Sequence, residues 1–197
     1  ALPKADPVHK ISIIPRGRAL GYTLTLPTED KFLVTRSELV DELSMLLGGR
    51  AAEELVFADP TTGAQNDIDR ATTIARQMVT EFGMSEELGP LRLGHPHGQV
   101  FLGRDFTSTP DYSEEIAARI DAEVRRLVER AHQIALDILS ANRPVLDRLA
   151  DELIAHETLE VDRVQELFSG VEPFTGVGSG RGTAAAASEL VDPRTTR

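Results

Sequence analysis

The sequence predicts a mostly helical α+β fold with a small antiparallel sheet near the N-terminus. Three observations carry that prediction. Between residues 8 and 26 apolar and polar side chains alternate in two short runs, the two-residue period of strands. From Ser37 to Phe168 apolar residues recur instead at three- and four-residue steps, the period of helices, in several separate stretches. With 197 residues, 41% hydrophobic and 27% charged, the chain has ample material for a core and suits one domain or two small ones.

Taken in order, Val8, Lys10, Ser12 and Ile14 alternate with His9, Ile11 and Ile13, and Pro15-Arg16-Gly17-Arg18 supplies a turn. Gly21 to Leu26 alternates again, so the two runs form a small sheet, one edge of which is expected to stay open. From about Ser37 to Phe57 the period is helical, through Leu39, Leu43, Leu46, Leu47, Ala51 and Leu55. Thr35 or Ser37 caps its start, and Glu38 puts an acid in the first turn. Gly48-Gly49 interrupts this stretch at a cost of about 1 kcal/mol per glycine against alanine. Either the helix breaks or kinks there, or another helix approaches closely where the Cβ is missing.

Asp67 to Phe82 is the cleaner helix, with Ile68, Ala71, Ile74, Ala75, Met78, Val79 and Phe82 on one stripe and Gly83 where a C-terminal cap belongs. Residues 84–112 are rich in Gly and Pro and read as loop, with room for a second hairpin. A long helix follows from about Ser113 to Ala141, roughly 43 Å at 1.5 Å per residue. It is expected to pack antiparallel against the next helix, which begins near Asn142-Arg143-Pro144 and carries Val145, Leu146, Leu149, Leu153 and Ile154. A short last helix holds Val161, Val164, Leu167 and Phe168. Residues 1–168 are read as the domain. Residues 169–197, dominated by Gly, Ala, Ser and Thr, are read as a disordered tail with too little apolar surface to offset ordering.

Composition narrows the function. A net charge of -11 and 5% aromatic residues oppose binding to phosphate backbones and stacked bases, so nucleic acid is not an expected partner. The absence of cysteine excludes disulfides and thiolate zinc sites. No apolar run approaches the roughly 18 residues of a membrane span, so the piece itself is expected to be soluble. No phosphate-cradling Gly-rich loop of the Walker type is present, so ATP is not expected to bind here.

Asp67 lies in Thr61-Thr62-Gly63-Ala64-Gln65-Asn66-Asp67-Ile68, among the opening residues of its helix. By spacing alone it is a cap or a partner of the helix dipole. Several ordered blocks change that reading. Asp6-Pro7-Val8-His9-Lys10, Ile13-Ile14-Pro15-Arg16-Gly17-Arg18-Ala19-Leu20-Gly21, Gly48-Gly49-Arg50-Ala51-Ala52-Glu53-Glu54 and Thr62-Gly63-Ala64-Gln65-Asn66-Asp67-Ile68 occur in that order. Phe82-Gly83-Met84-Ser85 and Leu88-Gly89-Pro90 follow. Together, over nearly all of residues 6 to 168, they resemble the peptidase domain of FtsH-type ATP-dependent zinc metalloproteases.

The resemblance implies a zinc peptidase domain of a membrane-anchored enzyme that degrades membrane and unfolded cytosolic proteins. It implies a homo-hexamer facing the cytoplasm, with the ATPase module and the membrane anchor upstream. Asp67 matches the third zinc ligand. The other two are histidines of a His-Glu-x-x-His helix whose glutamate is the general base. Glu53 matches a residue beside the site that orients a ligand histidine; its plainer reading is a solvated helix charge next to Glu54. The sequence contains no His-Glu-x-x-His. The resemblance places that helix just ahead of Asp6, with Ala1-Leu2-Pro3 matching its end, so the piece is expected to hold no stoichiometric zinc and to be inactive alone. A non-catalytic scaffold or assembly module of the same fold is the rival reading. His95-Pro96-His97 is a weak alternative chelator in a loop, and His9, His132 and His156 read as structural or solvated.

Overall fold

The computed structural model describes residues 1–15, 17, 21–26, 32–94 and 112–174. Three strands and six α-helices build it: β1 Val8–Ser12, β2 Tyr22–Thr25, α1 Arg36–Leu46, α2 Gly48–Phe57, α3 Gln65–Thr80, α4 Glu114–Ala141, α5 Arg143–His156, β3 Thr158–Glu160 and α6 Val161–Phe168. A single 3-10 turn, Thr62–Ala64, leads into α3. The mostly helical fold with a small antiparallel sheet is as the sequence predicts.

The main core lies between α1, α3 and α4, where Leu43, Met78 and Ile120 are fully buried. Ala71 and Ala75 on α3 and Ala131 on α4 are also enclosed. Their small side chains let the helix axes come close, while Leu and Met fill the gaps between. Thr35 starts α1 with a capping box: its hydroxyl accepts the Glu38 N–H at 3.3 Å, and the Glu38 carboxylate accepts the Thr35 N–H at 2.8 Å. The Gly-Gly interruption is a break. Leu47 ends α1 and opens α2, and a Cβ on Gly48 or Gly49 would meet no described atom within 4 Å. The helix restarts on the glycines, and no described helix closes on them.

The long helix α4 runs 28 residues, capped by Ser113. Its partners are α1, α2 and α3 more than α5, which corrects the expected antiparallel pairing. The stripe of α4 is wide enough to serve three helices, and α5 turns away to pack on α6 and β3. Three predicted stripe residues also lie outside the core: Ile68, Phe82 and Ile154 are exposed. Ile68 sits in the first turns of α3, and Phe82 lies beyond its end, in the turn before Gly83. Ile154 projects from the open side of α5.

The sheet has the order β2-β1-β3, all antiparallel. β3 is absent from the sequence prediction because three residues are too short to show a period. A bulge at His9 shifts the register between β1 and β2. It breaks strict alternation, so Val8 and Ile11 both pack on the second core of Leu153, Leu159, Val164 and Leu167. Ser12 is buried and shares a 2.8 Å hydrogen bond with Thr158 across the β1–β3 pair.

The turn after α3 is held by a buried carboxylate. Glu123 of α4, 3% exposed, accepts from Ser85 at 2.6 Å and from Arg126 at 2.7 and 2.9 Å. Ser85 in turn accepts the Leu88 N–H at 3.0 Å. Arg126 first, and Ser85 after it, holds the Glu123 carboxyl below the usual range against the opposing effect of burial.

Residues 171–174 run back across the domain: Glu172 donates its N–H to Asn142 Oδ1 at 2.7 Å and Phe174 to the Ala1 carbonyl at 2.9 Å. The tail expected from Ser169 is thus hydrogen-bonded chain as far as Phe174, and 175–197 lie outside the described residues. His95-Pro96-His97 also lies outside them, as do residues 95–111 of the stretch with room for a second hairpin; Leu91 to Leu93, within the described residues, forms no strand. No helix among the described residues is long and apolar enough to cross a membrane.

Candidate functional site

A cleft of about 830 Å³ opens between the sheet and the helices. The N-terminal segment and Gly21, Tyr22, Thr23 and Thr25 of the β2 side form one wall. Ser44 to Leu46, Gly48 and Gly49 form the other, with Ala135, Ile138, Leu139 and Phe168 beneath. Asp67 lines this cleft.

Local structure explains why Asp67 is available there. It occupies the first turn of α3, half-buried. α3 has Ala64 at its N-cap and no side-chain cap hydrogen bond, so Asp67 does not perform the capping that Thr35 performs for α1. Among the described residues its carboxylate has no hydrogen bond or ion pair. No described donor takes its lone pairs, which border the cleft.

Glu53 is not among the residues that line the cleft. Its carboxylate accepts the Thr61 hydroxyl at 2.7 Å and the Thr61 N–H at 3.0 Å. These bonds, the side-chain one foremost, hold its carboxyl below the usual carboxylate value. Neighbouring Glu54 pairs with Arg50 at 2.6 Å and lies 3.1 Å from His132 Nε2. His132 stands between α2 and α4 with its buried Nε2 making no hydrogen bond among the described residues, and His156 sits at 3.7 Å from Glu152 on the surface.

Measured against zinc, the donor set is partial. A catalytic zinc site takes three protein ligands and an open position. No group of three His, Cys, Asp or Glu side chains among the described residues is placed to hold a metal ion. Asp67 meets the demands on one ligand: a carboxylate, uncommitted, on a rigid helix at a cleft wall. A second hollow, of about 500 Å³ around Arg148, Glu152, Arg163 and Glu166, offers less. There Arg163 is taken up by Glu152 and Glu166.

Thr61 is the residue whose importance the spacing did not announce. Its partner Glu53 lies eight residues earlier on another helix, and no periodic pattern links the two. The lining residues Ala135, Ile138, Leu139 and Phe168 read in the sequence only as core positions, which gave no sign that they floor a cleft.

The cleft thus brings together a carboxylate without a partner among the described residues and the outer strand of the sheet. The chain matches peptidase family M41 over residues 1–167, and it belongs to that family. It is 57% identical over 166 residues to the "ATP-dependent zinc metalloprotease FtsH" of Rubrobacter xylanophilus, covering 84% of this chain and 26% of that protein. It is 56% identical over 169 residues to "ATP-dependent zinc metalloprotease FtsH 1" of Conexibacter woesei, covering 86% and 26%. Over 193 residues it is 48% identical to the protein of the first name from Cutibacterium acnes, covering 98% and 27%. The chain spans about a quarter of the length of these curated relatives.

Proposed function

We propose that this chain is the peptidase portion of a membrane-anchored, ATP-dependent zinc metalloprotease, and that Asp67 is one of its zinc ligands. The observation that carries this is the half-buried Asp67 carboxylate, without a partner among the described residues, on the cleft that β2 also lines. The remaining ligands are two histidines of a His-Glu-x-x-His helix that this sequence does not contain. Zinc, when bound, polarises the scissile carbonyl and activates a water. The open wall at Gly48-Gly49 suits a helix packed close against the cleft, since no Cβ stands in its way. The residues present here bind no stoichiometric zinc by themselves and are inactive alone, because one carboxylate is too few.

Substrate is read as extended polypeptide. β2 ends the sheet, with a strand neighbour on one side only among the described residues. A peptide added to its outer side gains main-chain hydrogen bonds that do not depend on sequence, as suits an enzyme acting on membrane and unfolded proteins. The intact enzyme uses ATP in a separate module, assembles as a hexamer and is anchored so that this domain faces the cytoplasm. The names of the relatives support the ATP and zinc parts of this reading.

The test is zinc content. In the full-length gene product, Asp67→Asn is expected to abolish peptide hydrolysis and to release zinc to a chelator. Full zinc retention by that variant sinks the assignment. So does one tightly held zinc on this chain alone that is lost on Asp67→Ala.

A further inference from the structure

We infer that Thr61, gripped by Glu53, is a positioning residue that sets where Asp67 stands. This rests on Asp67 being a ligand, as proposed above, and gives Glu53 a different task from orienting a histidine. Both oxygens of Glu53 receive Thr61: Oε1 the hydroxyl at 2.7 Å and Oε2 the backbone N–H at 3.0 Å. The same Thr61 oxygen accepts the Gly63 N–H at 3.1 Å. Gln65, the first residue of α3, donates its N–H to the Thr62 carbonyl. A continuous run of hydrogen bonds thus leads from the side of α2 to the first turn of α3.

Among the described residues no other side chain bonds to the turn that opens α3; the next polar tie, Arg70 to Glu42 at 2.8 Å, lies further along the helix. α3 has no side-chain cap, and its apolar anchors are Ala64 ahead of Asp67 and Ala71 one turn beyond it, both buried. The turn is also seated tightly on the clasp. A Cβ on Gly63 would stand 3.2 Å from Thr61 Oγ1 and 3.9 Å from Glu53 Oε1, so the glycine lets the turn lie against the two side chains. Metal affinity is sensitive to such placement, because a ligand that must be reoriented on binding loses part of what it gains. The clasp therefore presets the carboxylate before zinc arrives.

Two readouts test this. On the present chain, backbone amide exchange at Gly63 and Gln65 is expected to rise roughly tenfold in Thr61→Val. It should stay near wild type in Thr61→Ser, which keeps the hydroxyl, while the global unfolding midpoint barely moves. In the full-length enzyme, Thr61→Val is expected to speed zinc loss to a chelator by about tenfold, the lower end for a lost supporting partner, with Thr61→Ser restoring it. Gly63→Ala, which pushes on the clasp without removing it, should act in the same direction. Wild-type zinc release from Thr61→Val, alongside rapid release from Asp67→Asn, overturns the positioning role and leaves the ligand assignment standing. Zinc held firmly by Asp67→Asn removes both.

Discussion

Replacing Glu123 by alanine tests whether a buried carboxylate holds the turn after α3. The substitution leaves the Ser85 hydroxyl, itself buried, without its 2.6 Å acceptor. An unmet buried donor costs about 1–3 kcal/mol. Arg126 also loses its partner, but its side chain is 43% exposed and rehydrates, so that pair adds roughly 0–1 kcal/mol. The lost methylene carbon adds about 0.8 kcal/mol of burial. The total is near 3 kcal/mol, which in a chain of this size lowers the melting temperature by roughly 6–12 °C. Urea unfolding followed by circular dichroism at neutral pH measures it directly. The dependence on pH is a second check. Folding lowers the carboxyl's pKa, so its contribution is complete above the unfolded value of about 4.3 and fades as pH falls through the lower folded value. The gap between wild type and variant should therefore narrow only in acid. A loss below about 1 kcal/mol at neutral pH, against the 1–3 kcal/mol of an unmet buried donor, refutes the reasoning.

Two further perturbations probe the frame around the site. Leu43→Ala removes a fully buried side chain from the centre of the α1–α3–α4 core and should cost about 3–4 kcal/mol in the same urea titration. Gly83 sits at φ +61° with its missing Cβ 2.8 Å from the Pro90 Cα. Gly83→Ala is expected to destabilise by at least about 2 kcal/mol, the left-handed conformation and the backbone collision adding together; equal thermal melts for variant and wild type would contradict that.

The helices were legible because amphipathic periods survive in the sequence whatever they later pack against. What they pack against was not, since a stripe such as Ile120, Val124 and Leu127 says only that something covers it. α4 turned out to serve α1, α2 and α3 rather than α5. β3 escaped notice because pairing with β1, not any property of Thr158-Leu159-Glu160, makes it a strand. The bulge at His9 defeated the alternation rule in β1 for a related reason: register belongs to the pair of strands, not to one of them. At the site, Asp67 stood out only through resemblance, because a carboxylate in a first helical turn is ordinary. The structure adds that this one caps nothing. The role of Thr61 needed coordinates, since a contact between the flank of one helix and the approach to the next leaves no trace in spacing.

The central strand of the sheet joins the two ends of the domain: Ser12 meets Thr158 across 146 residues of chain. Bringing such distant segments together carries a large loop-closure cost, whereas α1, α3 and α4 meet over shorter separations. A growing polypeptide is therefore expected to assemble its helical core while β1 still waits for its second neighbour, and to complete the sheet only once β3 has been made. Pulse-labelled exchange during refolding would show this as late protection of the Ile13 amide, which bonds to the Glu157 carbonyl; protection as early as that of α3 would mean the ends meet first.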